Sequence, residues 1–402
     1  MTPNQVTFAS LAVALLAAGC FAAGERSTYV AGAVLLQLSF GLDCADGQLA
    51  RLTGTFSVLG GWLDAMFDRL KEYVVYAGLA VGSARAGDDV WLLAVLALGL
   101  QTVRHILDSA WSVTPAAVSA LTEGDRQRAA GRRRRWHWGR KVAILPIAER
   151  WLLISVLAAV SSPRIVLAVL VVAGGLAAAY MVAARIRRSL RPTDDGLAPG
   201  AAAQLDRMRG AGPAAVALAR VVPTHRATPV VLPLAGLVVL AAALVAAVRT
   251  GSTVLLLAGA VVFVALAVAG GHRPPDPRWG WAVPPVLGAA EYATVGVAGW
   301  VSGAGVDALN YGYLLGVIWH QYDALFRTRH RLGTELSVWA GLGGFEVRIL
   351  VVAACAAVSA SAYTIALAAM TVLLVALAMA RGLDLRKRSR TNQESVEKGK
   401  DT

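Results

Sequence analysis

The sequence predicts an all-α polytopic membrane protein: a six-helix bundle followed by a second block of about six transmembrane helices. Three observations carry this. Hydrophobic residues make up 57% of the 402-residue chain and charged residues 16%, with mean hydropathy +0.59. A soluble core of this length has no use for so much apolar sequence. Apolar runs of membrane-spanning length recur along the chain, and basic clusters fall in alternate loops.

The expected spans are 7–24, 28–50, 60–84, 90–111, 143–162, 164–186, 228–248, 252–270, 283–302, 305–325, 338–360 and 362–380. The first lacks a basic leader and a cleavage site, so it reads as a retained span rather than a signal peptide. Gly and Asp interrupt 283–325, and only a short Ser/Ala turn divides the last two spans. The basic clusters are Arg126 to Lys141 (with Arg132 to Arg135), Arg185 to Arg188, His272 to Arg278, Arg327 to Arg331 and Arg381 to Arg390. With this span count all five share one side. The positive-inside rule makes that side cytoplasmic, with both termini inside, in a multi-pass cell-membrane protein.

Four segments follow: a first membrane domain at 1–190, a linker at 191–226, a second transmembrane domain at 227–382 and a charged, disordered tail at 383–402. The linker begins with the Pro/Gly/Asp-rich stretch 191–200, and a short cytoplasmic helix is expected near 201–220. No internal repeat joins the two membrane domains. The net charge of +13 and pI near 10.2 fit topology signals and anionic lipid head groups better than nucleic acid, which is not an expected partner. Cys20, Cys44 and Cys355 lie far apart in apolar contexts and read as packing residues, with no disulfide framework.

The chemistry concentrates between the second and third spans. Asp43 and Asp46 are three residues apart, Asp64 and Asp68 four apart, so on helices each pair shares a face. Carboxylates at membrane depth are costly unless paired or bound to metal. Hard oxygen ligands without nearby His favour Mg²⁺ or Mn²⁺ over zinc. Gly47 and Ala50 are small enough to admit a nucleotide against the backbone. Arg51 offers a planar fork for phosphate, and Gly60 opens the next helix. Ion pairs of Asp43 with Arg51 or of Asp68 with Lys71 are the structural alternative for these charges.

The complete spacing D-x2-D-G-x2-A-R-x8-G-x3-D-x3-D, from Asp43 to Asp68, resembles the signature of the CDP-alcohol phosphotransferase family, and Thr2 to Thr7 resembles the start of many members. The resemblance covers roughly residues 1–190 and makes the first bundle the catalytic one. It implies divalent-metal-dependent transfer of a phosphoalcohol group from a CDP-alcohol, such as CDP-diacylglycerol, to an acceptor alcohol or phosphoalcohol. CMP leaves, in phospholipid or polar-lipid synthesis. Carried over by position, Asp43, Asp46, Asp64 and Asp68 bind metal, and Asp68 is the general base. Asp43, Asp46, Gly47, Ala50, Arg51 and Gly60 line the CDP site. The resemblance also implies homodimerisation through membrane helices.

Candidates for an acceptor phosphate are the intramembrane Arg104 and Arg150 and the loop residues Arg140 and Lys141. Arg150 could instead pair with Glu149 or with a catalytic aspartate. The later block resembles an uncharacterised C-terminal membrane domain attached to such phosphotransferases in actinobacteria. Its polar residues, Trp319 to Arg327 and Glu346 to Arg348, read either as helix-end ion pairs (Asp323 with Arg327, Glu346 with Arg348) or as a second polar pocket. The competing class of function is a transporter or membrane scaffold that retains a nucleotide and metal site.

Overall fold

The computed structural model describes residues 2–54, 56–119, 145–191, 196–219, 228–270, 275–330, 332 and 342–398. Among them the chain is all-α. A helix stands at each expected span: α1 (Pro3–Ala23), α2 (Arg26–Thr53), α3 (Val58–Arg85), α4 (Trp91–Ser112), α5 (Ile147–Val160), α6 (Pro163–Ser189), α9 (Thr228–Thr250), α10 (Thr253–Gly270), α11 (Val283–Val301), α12 (Ala308–Arg329), α13 (Phe345–Val358) and α14 (Ala360–Lys398). Two short helices, α7 (Pro199–Met208) and α8 (Pro213–Ala219), occupy the expected linker. Seven of these helices are long and apolar enough to cross a membrane: α1, α2, α4, α6, α9, α10 and α14. Four of the remaining seven fall short for reasons visible in their sequence. Helix α3 carries the charged stretch Asp64 to Glu72, α12 carries Asp323, Arg327 and Arg329, and α5 and α13 have only 14 residues each. Helix α14 continues to Lys398, through the segment that composition alone reads as a disordered tail. Exposed apolar side chains such as Leu16, Val34, Leu176, Val238, Val254 and Ile365 project from the helix surfaces. Such a distribution suits lipid rather than water. The protein is a polytopic membrane protein.

The chain divides into two compact units. The first comprises Met1–Ala94, Ile147–Leu170 and Val372–Thr402; the second comprises Val95–Pro146 and Val171–Thr371. In the first unit α1 packs against both α2 and α3, and α2 against α5. Helix α1 starts at Pro3 because Thr2 forms a capping box with Gln5, each side chain bonding the other's backbone N–H. Ser57 caps α3 by accepting from the Gly60 N–H at 2.9 Å. The α1–α3 seam depends on glycine. A Cβ on Gly78 would stand 2.4 Å from the Ala18 carbonyl oxygen, and one on Gly82 2.0 Å from that of Phe21. Only bare backbone permits such an approach. Around this seam Phe21, Leu36, Met66, Tyr73, Leu79 and Ile154 are fully buried.

In the second unit α9 and α10 form a tightly packed hairpin, and α13 packs against α10 and α11. Polar residues tie its helices together. Asn310 Nδ2 donates to Tyr363 Oη at 2.6 Å, and that hydroxyl donates to the Val295 carbonyl at 2.9 Å. The Trp281 ring meets Trp111 edge to face at 5.6 Å and donates its N–H to Ser189 Oγ at 3.0 Å. Short helix α7 lies against α12, and α8 against α10 and α13.

Candidate active site

The candidate site lies in the first unit, where α2 and α3 present their acidic faces. On α3, Leu63, Met66 and Phe67 are buried, and Phe67 packs edge to face on Phe8 at 5.2 Å. This anchors one stripe of α3 and leaves Asp64 and Asp68 on another, Asp64 exposed and Asp68 half-buried. Helix α2 supplies Asp43 and Asp46. Asp43, Asp64 and Asp68 each place a carboxylate oxygen within 4.8 Å of the others. Residues 21 and 25 positions apart thereby converge on one point, as two facing stripes require.

Asp46 departs from that trio. It is buried and accepts a hydrogen bond from Thr7 Oγ1 on α1 at 2.6 Å. Lys71, one turn beyond Asp68, is fully buried; its ammonium donates to Asp43 and lies 3.4 Å from Asp68 Oδ1. The Lys71 pair considered for Asp68 therefore forms, with Asp43 as the closer partner. Thr7 and Lys71 are neighbours of these carboxylates that the aspartate pattern did not mark. The signal was available: Lys71 falls at i+3 from Asp68, and Thr7 ends the N-terminal stretch already noted.

The donor set suits a hard divalent cation. Three carboxylates converge and one ammonium offsets part of their charge, so the cluster keeps an excess of negative charge. Asp43, Asp64 and Asp68 are the described residues placed to hold such an ion.

The small residues divide by role. A Cβ on Gly47 would meet only the Arg51 guanidinium, at 3.6–4.0 Å, an ordinary contact. The fold itself does not require glycine at 47, so its bareness leaves room beside Arg51. Gly60 is different: a Cβ there would stand 2.9 Å from Asn4 Oδ1 and 3.0 Å from Ser57 Oγ. It is bare because the α1 start and the α3 cap crowd it. Ala50 is half-buried and Arg51 exposed on the last turns of α2.

Arg150 is buried and committed to Glu72 through contacts of 2.5 and 2.9 Å, and Tyr76 donates to the same carboxylate at 2.5 Å. Glu72, rather than the neighbouring Glu149, is the partner seen at these distances. Arg104 belongs to the second unit, where it donates to Gln101 at 3.1 Å. Arg140, Lys141 and the Arg132 to Arg135 run lie outside the described residues.

Residues 1–174 match the family described as CDP-alcohol phosphatidyltransferase, and residues 199–400 match a family of unknown function, DUF5941. Three similar relatives are an archaetidylinositol phosphate synthase of Pyrococcus horikoshii, a bifunctional IPC transferase and DIPP synthase of Rubrobacter xylanophilus, and a phosphatidylinositol phosphate synthase of Streptomyces avermitilis. The first is 38% identical over 92 residues, 23% of this chain and 47% of the relative. The second is 39% identical over 83 residues, 21% of this chain and 18% of the relative. The third is 32% identical over 128 residues, 31% of this chain and 51% of the relative. The chain therefore spans about half the length, or less, of the curated relatives it matches. Its two regions have separate affiliations: the chain belongs to the family of unknown function DUF5941 through its C-terminal half, and its N-terminal region is a CDP-alcohol phosphatidyltransferase domain.

Proposed function

We propose that this protein is an integral-membrane CDP-alcohol phosphotransferase of polar-lipid synthesis. The observation that carries the reading is the convergence of Asp43, Asp64 and Asp68 from two helices inside the matched domain. Asp43, Asp64 and Asp68 would hold Mg²⁺ or Mn²⁺, with Asp46 completing the acidic face. When bound, the ion neutralises pyrophosphate charge.

The chain's own residues supply the rest. Asp68 accepts the proton from the acceptor hydroxyl. The freed oxygen attacks the phosphorus that bears the donor's alcohol, the bond from that phosphorus to the bridging pyrophosphate oxygen breaks, and CMP leaves with the electron pair. Lys71 fixes the Asp43 and Asp68 carboxylates and limits their mutual repulsion. The open backbone at Gly47 and Ala50 admits the CDP moiety, and Arg51 binds its phosphates. Thr7 holds Asp46 in one orientation.

The acceptor we favour is an inositol phosphate, because two of the named relatives make inositol phosphate lipids by their printed names. The donor is then CDP-diacylglycerol or a similar CDP-linked lipid. The basic loops support a cytoplasmic active site and cytoplasmic termini within a fold of about twelve spans, and a homodimer is expected. A boundary between domains near residue 190 and a linker to 226 complete the reading.

The test is CMP release by the purified protein in nanodiscs, with CDP-diacylglycerol and inositol phosphate, with and without Mg²⁺ or Mn²⁺, and with Asp68→Asn as control. Metal-dependent release that Asp68→Asn abolishes is the expected result. Release by Asp68→Asn at the wild-type rate would remove the base assignment. No release with any acceptor, from protein that binds CDP-alcohol, would overturn the enzymatic reading.

A further inference from the structure

The second unit encloses a cavity of about 790 Å³ that the transferase chemistry does not use. Its volume falls within the range of about 300–1,000 Å³ typical of small-molecule sites. One wall is α7, the turn after it and the start of α8; the others come from α4, α10, α11, α12 and α13.

This cap is fastened by backbone contacts. Glu346 Oε1 accepts from the Gly212 N–H at 2.8 Å and the Ala215 N–H at 3.1 Å. The Phe345 N–H donates to the Gly210 carbonyl at 3.2 Å. A Cβ on Gly212 would stand 1.6 Å from the Gly343 carbonyl oxygen, so the two chain segments meet with no room for a side chain. A buried carboxylate and a glycine contact thus hold residues 210–215 as a fixed lid over a hollow.

The lining has two characters. Ala267, Val268, Leu287 and Phe345 are buried and apolar. The ionised groups are Arg207, Arg209 and Arg348 against Asp206 and Glu291, an excess of cation. Arg348 and Glu291 close on each other at 2.5 and 2.9 Å. Arg209 is buried and pairs with Asp206 at 3.6 Å; desolvation lowers its pKa despite that carboxylate. Arg207 is exposed at the rim and reaches Thr328 Oγ1 at 3.4 Å. Behind them a relay of side chains stiffens the wall: Gln101 meets His105 at 2.7 Å, and His105 meets Tyr322 Oη at 2.5 Å.

We propose that this cavity binds a phosphate-bearing amphiphile, its phosphate held by Arg207 and Arg209 on the lid and its apolar part against Ala267, Val268, Leu287 and Phe345. Guanidinium forks match phosphate oxygens, and their approach from the lid suits a tetrahedral group with several acceptor directions. The adjoining apolar wall selects a ligand that also carries hydrocarbon. The inference stands apart from the transferase reading and uses none of its residues.

The test is native mass spectrometry of the full chain in detergent with dioleoyl phosphatidic acid or dioleoylglycerol, which share their tails and differ in the phosphate. Phosphatidic acid should be retained about ten-fold more strongly, the gain typical of a charge-assisted hydrogen bond. Arg207→Gln should weaken it by a similar factor, and Ala202→Trp, which fills the cavity from the lid, should abolish it. Thermal melts of both variants report whether they fold. Displacement by glycerol 3-phosphate would support the site with a soluble phosphate compound as its source; persistence would support it with a membrane lipid. Equal retention of the two lipids, or retention of phosphatidic acid unchanged in both folded variants, would overturn the proposal.

Discussion

Both units close buried ion pairs, Arg150 on Glu72 in the first, but among the described residues only the first also gathers like charges at one point. In the first, Asp43, Asp64 and Asp68 converge with a single ammonium among them, and Asp46 is set beside them by a hydroxyl. In the second, two buried arginines close on carboxylates: Arg348 on Glu291, and Arg327 on Asp323 at 3.0 Å. A closed pair stabilises helix packing and offers little to a ligand. A carboxylate cluster with surplus charge is costly to maintain inside a membrane protein and is kept where it has work to do. The contrast separates chemistry from architecture more sharply than charge content, because both units carry intramembrane charges.

The sharpest way to break this comparison is to remove one charge from each side. Asp68→Asn should lower turnover by about 10²- to 10⁴-fold while the protein still folds, since a general base contributes on that scale; steady-state CMP release checks it. Glu291→Gln should do the reverse. It leaves the Arg348 charge buried without its counter-ion, which costs about 3–5 kcal/mol, seen as a lower unfolding temperature in detergent. The double variant with Arg348→Met should recover much of that loss. A catalytic defect from Glu291→Gln in protein that is still folded would refute the architectural reading of the pair.

Two glycines sharpen the comparison within the first unit. Gly82→Ala should destabilise by about 1–3 kcal/mol, because its Cβ meets the α1 backbone and overpacking is costly. Gly47→Ala should leave the unfolding temperature no lower, since alanine is the better helix former, and should weaken CDP-alcohol binding, measured by titration calorimetry in nanodiscs. If Gly47→Ala melted early and bound normally, the nucleotide role of that face would fall.

The smallest effect is expected at the surface of the same unit. Arg164 forks onto Asp88 in the turn before α4, and that hydrogen bonding holds the Asp88 carboxyl below its ordinary pKa. A depressed folded-state pKa contributes stability above the unfolded value, about 3.9 for Asp, and loses it as pH falls through the folded one. Arg164→Ala should therefore lower the unfolding temperature slightly at neutral pH, and the difference from wild type should vanish in strong acid. Both groups are exposed, so the shift should be small and should shrink with added salt.

Helical periodicity explains what could be read ahead of the structure. Asp64 and Asp68 share a face because they are four apart, and the pair Asp323–Arg327 forms at the same spacing. Glu346 and Arg348, two apart, point to different sides of their helix and take distant partners. Glu346 accepts from Gly212 and Ala215, and Arg348 turns to Glu291. Arg150, a candidate for an acceptor phosphate, is tied to Glu72, 78 residues away. No local pattern announces a partner at that distance.

The sequence by itself determined the helical class, the place of each long helix and the acidic face of α2 and α3. Apolar length, loop composition and the 3.6-residue period are local properties that one chain segment carries alone. Tertiary structure decided which charges meet. It brought Lys71 onto Asp43, drew Asp46 to Thr7, closed Glu72 on Arg150 and fastened residues 210–215 over a cavity. Those outcomes depend on glycine contacts and helix packing between distant segments, and a buried charge takes the partner that packing delivers.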